Sequence, residues 1–519
     1  MDVATPQSWW ELVEGAARRA PAHVMLRDDL GRTCTAEAFH ELSLGVAGGL
    51  AERGLHAGDV VAWQLPTTIE AAALMSACTL LGVRQVPLLP ILRGAELEEI
   101  LAAAPPALFI TLTSWRGFDH GALAASLAAG LGFEKLLVEL EQREGAFALP
   151  LRPELAPARA PIPSAPTWVF FTSGTTGVPK GVLHSDASAI AGSNALLELV
   201  GVCASDVTSI AYPLTHIGGP AMLSAVLRSG ASCVLTSSFD PVESPLSLAS
   251  MDVTVLGSAV PFFLAYLAAQ EQHGEEPLFG SLRVCSNGGA PLPGPIADRL
   301  RRELGGGVVN GYGLTECPIA TFTSPDAVGL DADVVGMPGP GVIVRIVDAE
   351  GRDVPAGETG EILLRGPQLF AGYVDPSADR FAFDEQGFLR TGDLGSIEPD
   401  GQLRVTGRLK DVIIRNAENI SAVEVEGVLA GHPGIVDVAV VGVPDDHTGE
   451  RACAVIVAAP EGPPVTIASL GAFCGERGLA RFKVPEQILV VDELPRTAMG
   501  KVRKDELRVR AAAAPVDVG

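Results

Sequence analysis

The sequence predicts an α/β fold of largely parallel sheets followed by a small α+β unit, and three observations carry that reading. Short apolar runs alternate with helical patterns through most of the chain. The length, 519 residues, exceeds what one hydrophobic core usually supports, so two or more structural units are expected. After about Arg408 the composition changes, and two strand-like runs and a helical pattern end the chain.

In chain order, Val60–Leu65 reads as a strand, Thr68–Leu81 as an apolar helix and Gln85–Leu89 as the next strand. Prolines 150, 153, 157, 161, 163 and 166 mark an exposed, extended connector. It leads into Thr167–Thr172, a short strand, and then a loop of Gly, Ser and Thr. The run Val253–Gln270 has no charged residue, but Pro261 interrupts it and it is short for a bilayer span. A buried strand followed by a helix, with Pro261 near the helix start, is the expected structure. Beyond Arg408, Val436–Val443 and Ala454–Val457 read as strands and Ile467–Gly478 as a helix. No repeat of solenoid period and no long low-complexity tract is present.

With 47% hydrophobic and 19% charged residues, the composition is that of a globular protein. The formal charge of −25 argues against nucleic-acid and anionic-membrane partners, though it leaves room for one basic cleft. The eight cysteines stand at no metal-ligand spacing, and a chain of this size needs no disulfide staples, so reduced thiols in the cytoplasm are expected. The first ten residues carry no basic, apolar signal-peptide pattern.

The strongest local signal is Phe171-Thr172-Ser173-Gly174-Thr175-Thr176-Gly177-Val178-Pro179-Lys180-Gly181. Its glycines let backbone approach a ligand, its hydroxyls and N–H groups suit phosphate oxygens, and Lys180 adds positive charge. It is not a Walker A loop, because no Gly-Lys-Ser/Thr is present. The loop closely resembles the signature of the adenylate-forming enzymes, which include acyl-CoA synthetases, peptide-synthetase adenylation domains and beetle luciferases.

The other motifs of that family stand in order. Gly288-Gly289-Ala290-Pro291 matches the turn along one face of adenine. In Asn310-Gly311-Tyr312-Gly313-Leu314-Thr315-Glu316, Tyr312 offers an aromatic face and the flanking glycines are expected to keep backbone near the nucleotide. The resemblance gives Thr315 to the α-phosphate and Glu316 to Mg²⁺, a hard cation that takes oxygen ligands. It gives Asp393, in Arg390-Thr391-Gly392-Asp393, and Arg408 to the ribose, and makes Lys410 the hinge. Lys501, in Pro495-Arg496-Thr497-Ala498-Met499-Gly500-Lys501, matches the mobile catalytic lysine. In Pro213-Leu214-Thr215-His216-Ile217-Gly218-Gly219, His216 matches the residue beside the carboxylate; Gly218, Gly288 and Gly313 border the acid with it. Gly218, Gly219 and Ala221 are expected to leave room there.

The fold implied is a large N-terminal domain, 1–407, of two α/β sheet subdomains and a distorted β-barrel. A hinge at 408–411 and a small mobile α+β domain at 412–519 follow. The activity implied is ATP-dependent conversion of a carboxylic acid to acyl-AMP, then transfer to CoA, with Mg²⁺ as cofactor. Amino-acid-activating relatives carry an Asp to pair the ammonium group, and none lies between Tyr212 and Leu223, so a fatty, alicyclic or aromatic acid is expected. The chain departs from the family at Asn416-Ala417-Glu418-Asn419, where Ala417 replaces a glycine facing the thiol tunnel. Three alternatives stay open: a ligase serving a separate carrier protein, a luciferase-like oxygenase, and a silent nucleotide-binding relative. A homodimer also stays open.

Overall fold

The structure is a computed structural model, and it describes residues 8–140, 147–157, 166–172, 179–329, 331–415, 418–445, 448–496 and 502–514. Packing divides the chain into two units, Met1–Val344 with Leu364–Leu389, and Arg345–Leu363 with Arg390–Gly519.

The first unit holds two mostly parallel sheets. One is built from β1 (Val60–Gln64), β2 (Arg84–Pro87), β3 (Leu108–Leu112), β4 (Glu134–Val138), β5 (Trp168–Thr172) and β6 (Lys180–His184). Their spatial order is β6, β5, β2, β1, β3, β4, with only β6 antiparallel to its neighbour β5. The short strand Gly372–Tyr373 lies outside β6, pairing with Leu183 and Val182. Between β1 and β2 runs α1 (Ile69–Leu81), whose residues are all buried, which is why its sequence shows no polar face. Thr68 caps it by accepting from the Ala71 N–H, and Gly82 ends it at φ +75°, a left-handed turn that favours glycine.

The other sheet runs β8 (Ser232–Leu235), β7 (Val207–Ile210), β9 (Val255–Ser258), β10 (Val284–Asn287) and β11 (Gly307–Tyr312), all parallel. It continues with the antiparallel β12 (Thr321–Phe322) and β13 (Val334–Pro338). The helix α2 (Gly218–Ser229) follows β7. After β9 comes the helix Val260–His273 with Pro261 in its first turn, so the uncharged run is a strand and a helix. Among the described residues, no helix is long and apolar enough to cross a membrane.

The proline-rich segment departs from expectation in part. In its described part, residues 147–157, positions 151–155 are exposed as expected, but the segment is packed on the first unit: the Arg152 N–H donates to the Gly45 carbonyl at 2.8 Å. A Cβ on Gly48 would fall 1.7 Å from the Arg152 carbonyl oxygen, and one on Gly49 would fall 2.6 Å from that of Pro150. Small residues on the helix Ala36–Glu52 therefore form the groove that receives the segment. Proline spacing alone gives no sign of that partner.

In the second unit, β14 (Leu389–Ile397) and β15 (Leu403–Arg408) form an antiparallel pair that places Asp393 opposite Arg408. A further sheet contains the hairpin β16 (Val412–Arg415) and β17 (Glu418–Ser421), the long pair β18 (Ile435–Asp445) and β19 (Gly449–Ala458), and β20 (Gln487–Val490) parallel to β19. Three helices accompany it: α3 (Ala422–Leu429), α4 (Ile467–Glu476) and α5 (Lys504–Ala513). β15 packs with this C-terminal segment, since the Ser421 hydroxyl donates to the Thr406 carbonyl at 2.8 Å.

Candidate active site

In parallel sheets the loops leaving the carboxyl ends of strands converge, and most of the singled-out residues of the first unit stand on such loops. β5 leads into the phosphate-loop candidate and β6 leaves it. Thr172 and Lys180 face each other across this pair, and the Thr172 hydroxyl lies 3.5 Å from the Lys180 carbonyl. Ser173, Gly174, Thr175, Thr176 and Gly177 lie outside the described residues. Gly181 is required by packing: a Cβ there would sit 2.6 Å from Val374 Cγ2.

The best-defined part of the site is the turn carrying Thr315 and Glu316. Three contacts hold it. The Phe370 N–H donates to the Glu316 carbonyl at 2.8 Å, the Tyr373 hydroxyl donates to Glu316 Oε1 at 2.8 Å, and His184 Nε2 meets the Thr315 carbonyl at 2.7 Å. Tyr373 also presents its ring to Lys180, whose Nζ is 5.6 Å from the ring centroid. Burial, followed by the charge of Glu316, pushes the Tyr373 phenol up, so it stays protonated and remains a donor. β6, the strand Gly372–Tyr373 and the Glu316 turn are thus tied to one another.

His184 is fully buried, and burial pulls its imidazole down to about 4. It is therefore neutral at pH 7. Its Nε2 carries the proton, because a carbonyl only accepts, and Nδ1 accepts from the Ser188 hydroxyl at 3.0 Å. The sign of the pH effect follows. An unfolded histidine takes up its proton near pH 6.5, so the unfolded chain binds more protons as pH falls toward about 4, and stability falls with it. Chemical denaturation over this range is expected to show His184→Asn losing less stability on acidification than the wild type. Part of the slope should persist, because His120 is also pulled down to about 4. Equal slopes in both proteins would contradict the assignment.

The other turns are fixed from behind. Asn287 Nδ2 donates to the Ala290 carbonyl and to Asn310 Oδ1, each at 2.8 Å, and the Gly288 N–H donates to the Ser258 carbonyl. Gly289 sits at φ +80°, in the left-handed region. Ala290 is half-buried and Pro291 exposed. Asn310, a candidate nucleotide ligand, is 1% exposed and faces inward: Nδ2 donates to the carbonyls of Ala332 and Val334, and its N–H donates to the Thr323 hydroxyl. It braces the turn. The glycines beside Tyr312 have a packing reason that sequence did not suggest. A Cβ on Gly311 would lie 2.3 Å from Phe322 Cε1, and one on Gly313 would lie 2.5 Å from the Ile319 nitrogen. Tyr312 itself ends β11 and is half-exposed.

His216 lies half-exposed in the turn from β7 into α2; its N–H donates to the Pro213 carbonyl, and its own carbonyl accepts from Gly219. Of the three small residues expected to leave room beside it, Gly219 and Ala221 face packed neighbours, whereas Gly218 makes only ordinary contacts. A Cβ on Gly219 would stand 2.5 Å from the Leu214 carbonyl oxygen, Ala221 is fully buried, and the Tyr212 ring lies against Gly218.

In the second unit, Arg408 Nε is 2.9 Å from Asp393 Oδ1. The Asp393 side chain is buried and the arginine half-exposed, so a cation offsets the cost of a dry carboxylate. Gly392, at φ +69°, makes the turn before it, and the Thr391 hydroxyl pins that turn by donating to the Ile362 carbonyl at 2.7 Å. Lys410 lies in the short turn Leu409–Asp411. Arg508, on α5, donates to the Lys410 carbonyl at 3.1 Å and pairs with Asp411 at 2.5 Å. Ala417 and Lys501 lie outside the described residues.

Sequence reasoning missed Tyr373, His184 and Arg508. Each acts through contacts distant in the chain; the Gly-Tyr and Lys-Gly-Val-Leu-His contexts look like ordinary strand residues. The groups present suit the expected Mg²⁺: Glu316 supplies a hard carboxylate with Oε1 tied to a neutral phenol. The described residues contain no group of three His, Cys, Asp or Glu side chains able to hold a metal unaided. One carboxylate is what a cation needs when phosphates and water fill the remaining positions.

Residues 13–374 match the family described as AMP-binding enzyme, and residues 424–501 match the AMP-binding enzyme C-terminal domain. The chain therefore belongs to the adenylate-forming family of AMP-binding enzymes, and it is an AMP-forming ligase. It is 31% identical to the medium-chain fatty-acid–CoA ligase of Escherichia coli, over 95% of this chain and 88% of that protein. It is likewise 31% identical to the 2,3-dihydroxybenzoate–AMP ligase of Bacillus subtilis, over 89% and 86%. Among solved structures, o-succinylbenzoate CoA synthetase of Bacillus subtilis, in complex with its acyl-adenylate intermediate, is 28% identical and superposes with a TM-score of 0.83 over 96% of this chain and 98% of that one.

Proposed function

We propose that this chain is an acid–CoA ligase that activates an aliphatic, alicyclic or aromatic monocarboxylate as acyl-AMP, releases pyrophosphate, and transfers the acyl group to the thiol of CoA. The observation that carries the reading is the braced Glu316 turn, with Tyr373 linking it to Lys180. A carboxylate is already ionised at neutral pH, so attack on the α-phosphate needs no general base. It needs relief of like-charge repulsion and neutralisation of the charge that builds as pyrophosphate leaves. Lys180 and Thr315 serve the phosphates in this reading, and Lys501 joins them during adenylation. Mg²⁺ at Glu316 would screen phosphate charge. Tyr312 and the Gly288–Pro291 turn serve the adenine, and Asp393 with Arg408 serves the ribose.

The likeness to a CoA ligase over nearly the full chain supports CoA as acceptor. Ala417 adds one methyl group where the family has glycine, and an added methyl costs little wherever the chain can adjust, so CoA transfer is expected to work. The sequence from Tyr212 to Leu223 offers no acidic partner for an ammonium group, which supports a simple monocarboxylate. The test is a panel of acids and proteinogenic amino acids supplied with ATP, Mg²⁺ and CoA, with AMP and thioester both measured. A monocarboxylate should give acyl-CoA. An amino acid as best substrate would overturn the acid class, and acyl-AMP without acyl-CoA would move the acceptor to a carrier protein.

Lys410 is the proposed hinge between the two half-reactions. Lys410→Pro fixes φ near −65° and is expected to leave pyrophosphate release within a few fold while thioester formation falls at least about tenfold. Both half-reactions measured at wild-type rate would remove Lys410 from the pivot.

A further inference from the structure

We propose that Tyr212 closes the inner end of the acid pocket and restricts the enzyme to short or compact monocarboxylates. The inference rests on the ligase reading above, in which His216 and Gly218 border the acid. Tyr212 stands between β7 and α2, four positions before His216, and is 9% exposed. Its hydroxyl donates to the Gly218 carbonyl at 3.2 Å. A Cβ on Gly218 would lie 3.5 Å from Tyr212 Cε2, and one on Gly257, in β9, would lie 3.4 Å from Cε1. The phenol ring therefore lies in van der Waals contact with the backbone at both Gly218 and Gly257.

The backbone that carries the ring is fixed as well. The Thr67 hydroxyl donates to the Tyr212 carbonyl at 3.1 Å and accepts from the Leu214 N–H at 2.9 Å, fixing the backbone on both sides of Pro213. Behind Gly257, the Tyr266 hydroxyl donates to its carbonyl at 3.0 Å, and Tyr266 packs edge-on against Phe239 and Phe279. Gly257 is thus backed by an aromatic cluster of Phe239, Tyr266 and Phe279. A long acyl chain passing Gly218 would have to turn the Tyr212 ring, which breaks the hydroxyl bond and drives the ring into Gly257 or into backbone tied by Thr67. Overpacking of this kind is destabilising even for single methylenes.

The test measures kcat/KM for butanoate, benzoate and decanoate in AMP release. The wild type should favour butanoate or benzoate over decanoate by at least about tenfold, the discrimination that one or a few misfitting methylenes produce. Tyr212→Ala should raise the decanoate-to-butanoate ratio by at least about tenfold, and Tyr212→Phe, which keeps the ring, should hold it near the wild-type value. If Tyr212→Ala does not fold, as judged by its unfolding midpoint, Tyr212→Leu decides. A wild type that prefers decanoate, or a folded Ala or Leu variant with an unchanged ratio, overturns the role of Tyr212 and leaves the ligase reading standing. AMP release with no acid at all overturns both.

Discussion

Lys501→Ala is expected to reduce acid-dependent pyrophosphate release at least about a hundredfold while largely sparing transfer to CoA from supplied acyl-AMP. The lysine ammonium is assigned to the charge that develops on the α-phosphate, and removing one donor aimed at such a charge typically costs 10²–10³ in rate, about 3–4 kcal/mol. The second half-reaction expels AMP from an acyl phosphate already formed, so it does not draw on that charge. α5 begins three residues beyond Lys501 and is tied to the rest of the second unit by Lys504 on Glu426 at 2.7 Å and Arg508 on Asp411. Truncating Lys501 leaves those ties intact, so a fold-wide explanation of the loss is testable by the unfolding midpoint, which should not move. Equal loss in both half-reactions would contradict the assignment.

The second large effect concerns Glu316. Glu316→Gln keeps size and shape but removes the charge, and adenylation is expected to fall about 10²–10³-fold with a raised requirement for Mg²⁺. Tyr373→Phe removes only the hydroxyl that donates to Glu316 Oε1 at 2.8 Å. A hydrogen bond to a charged group contributes about 1.5–3 kcal/mol, so this variant should lose between about ten- and a hundredfold. The two changes should not add, because both act on one carboxylate. A Tyr373→Phe enzyme with wild-type kcat and Mg²⁺ requirement would show that the carboxylate needs no such brace.

What could be read from sequence was what local pattern encodes. The strand beginning at Val60, the helix that follows Thr68 and the strand-to-helix passage around Pro261 came through because apolar patterning and proline placement act within a few residues. The motif residues could be singled out because their order and spacing are specific. What did not come through depends on partners far along the chain. Gly48 and Gly49 receive the proline-rich segment, Phe322 fills the space that Gly311 leaves, and Asn310 turns inward to Val334. His184 and Tyr373 grip the Glu316 turn from strands 131 and 57 positions away from their partners. No periodicity marks such residues, since each sits on an otherwise ordinary strand. The pairing of Asp393 with Arg408 lies between these cases: both residues were singled out, but only the register of β14 on β15 brings them together.

The most direct measurement of the central claim is exchange of radiolabelled pyrophosphate into ATP, run without CoA, across the acid panel. An enzyme that forms acyl-AMP reversibly must show exchange that depends on the acid and on Mg²⁺ and that is lost in Glu316→Gln. Acyl-CoA formation with no acid-dependent exchange under any condition would contradict an adenylate intermediate.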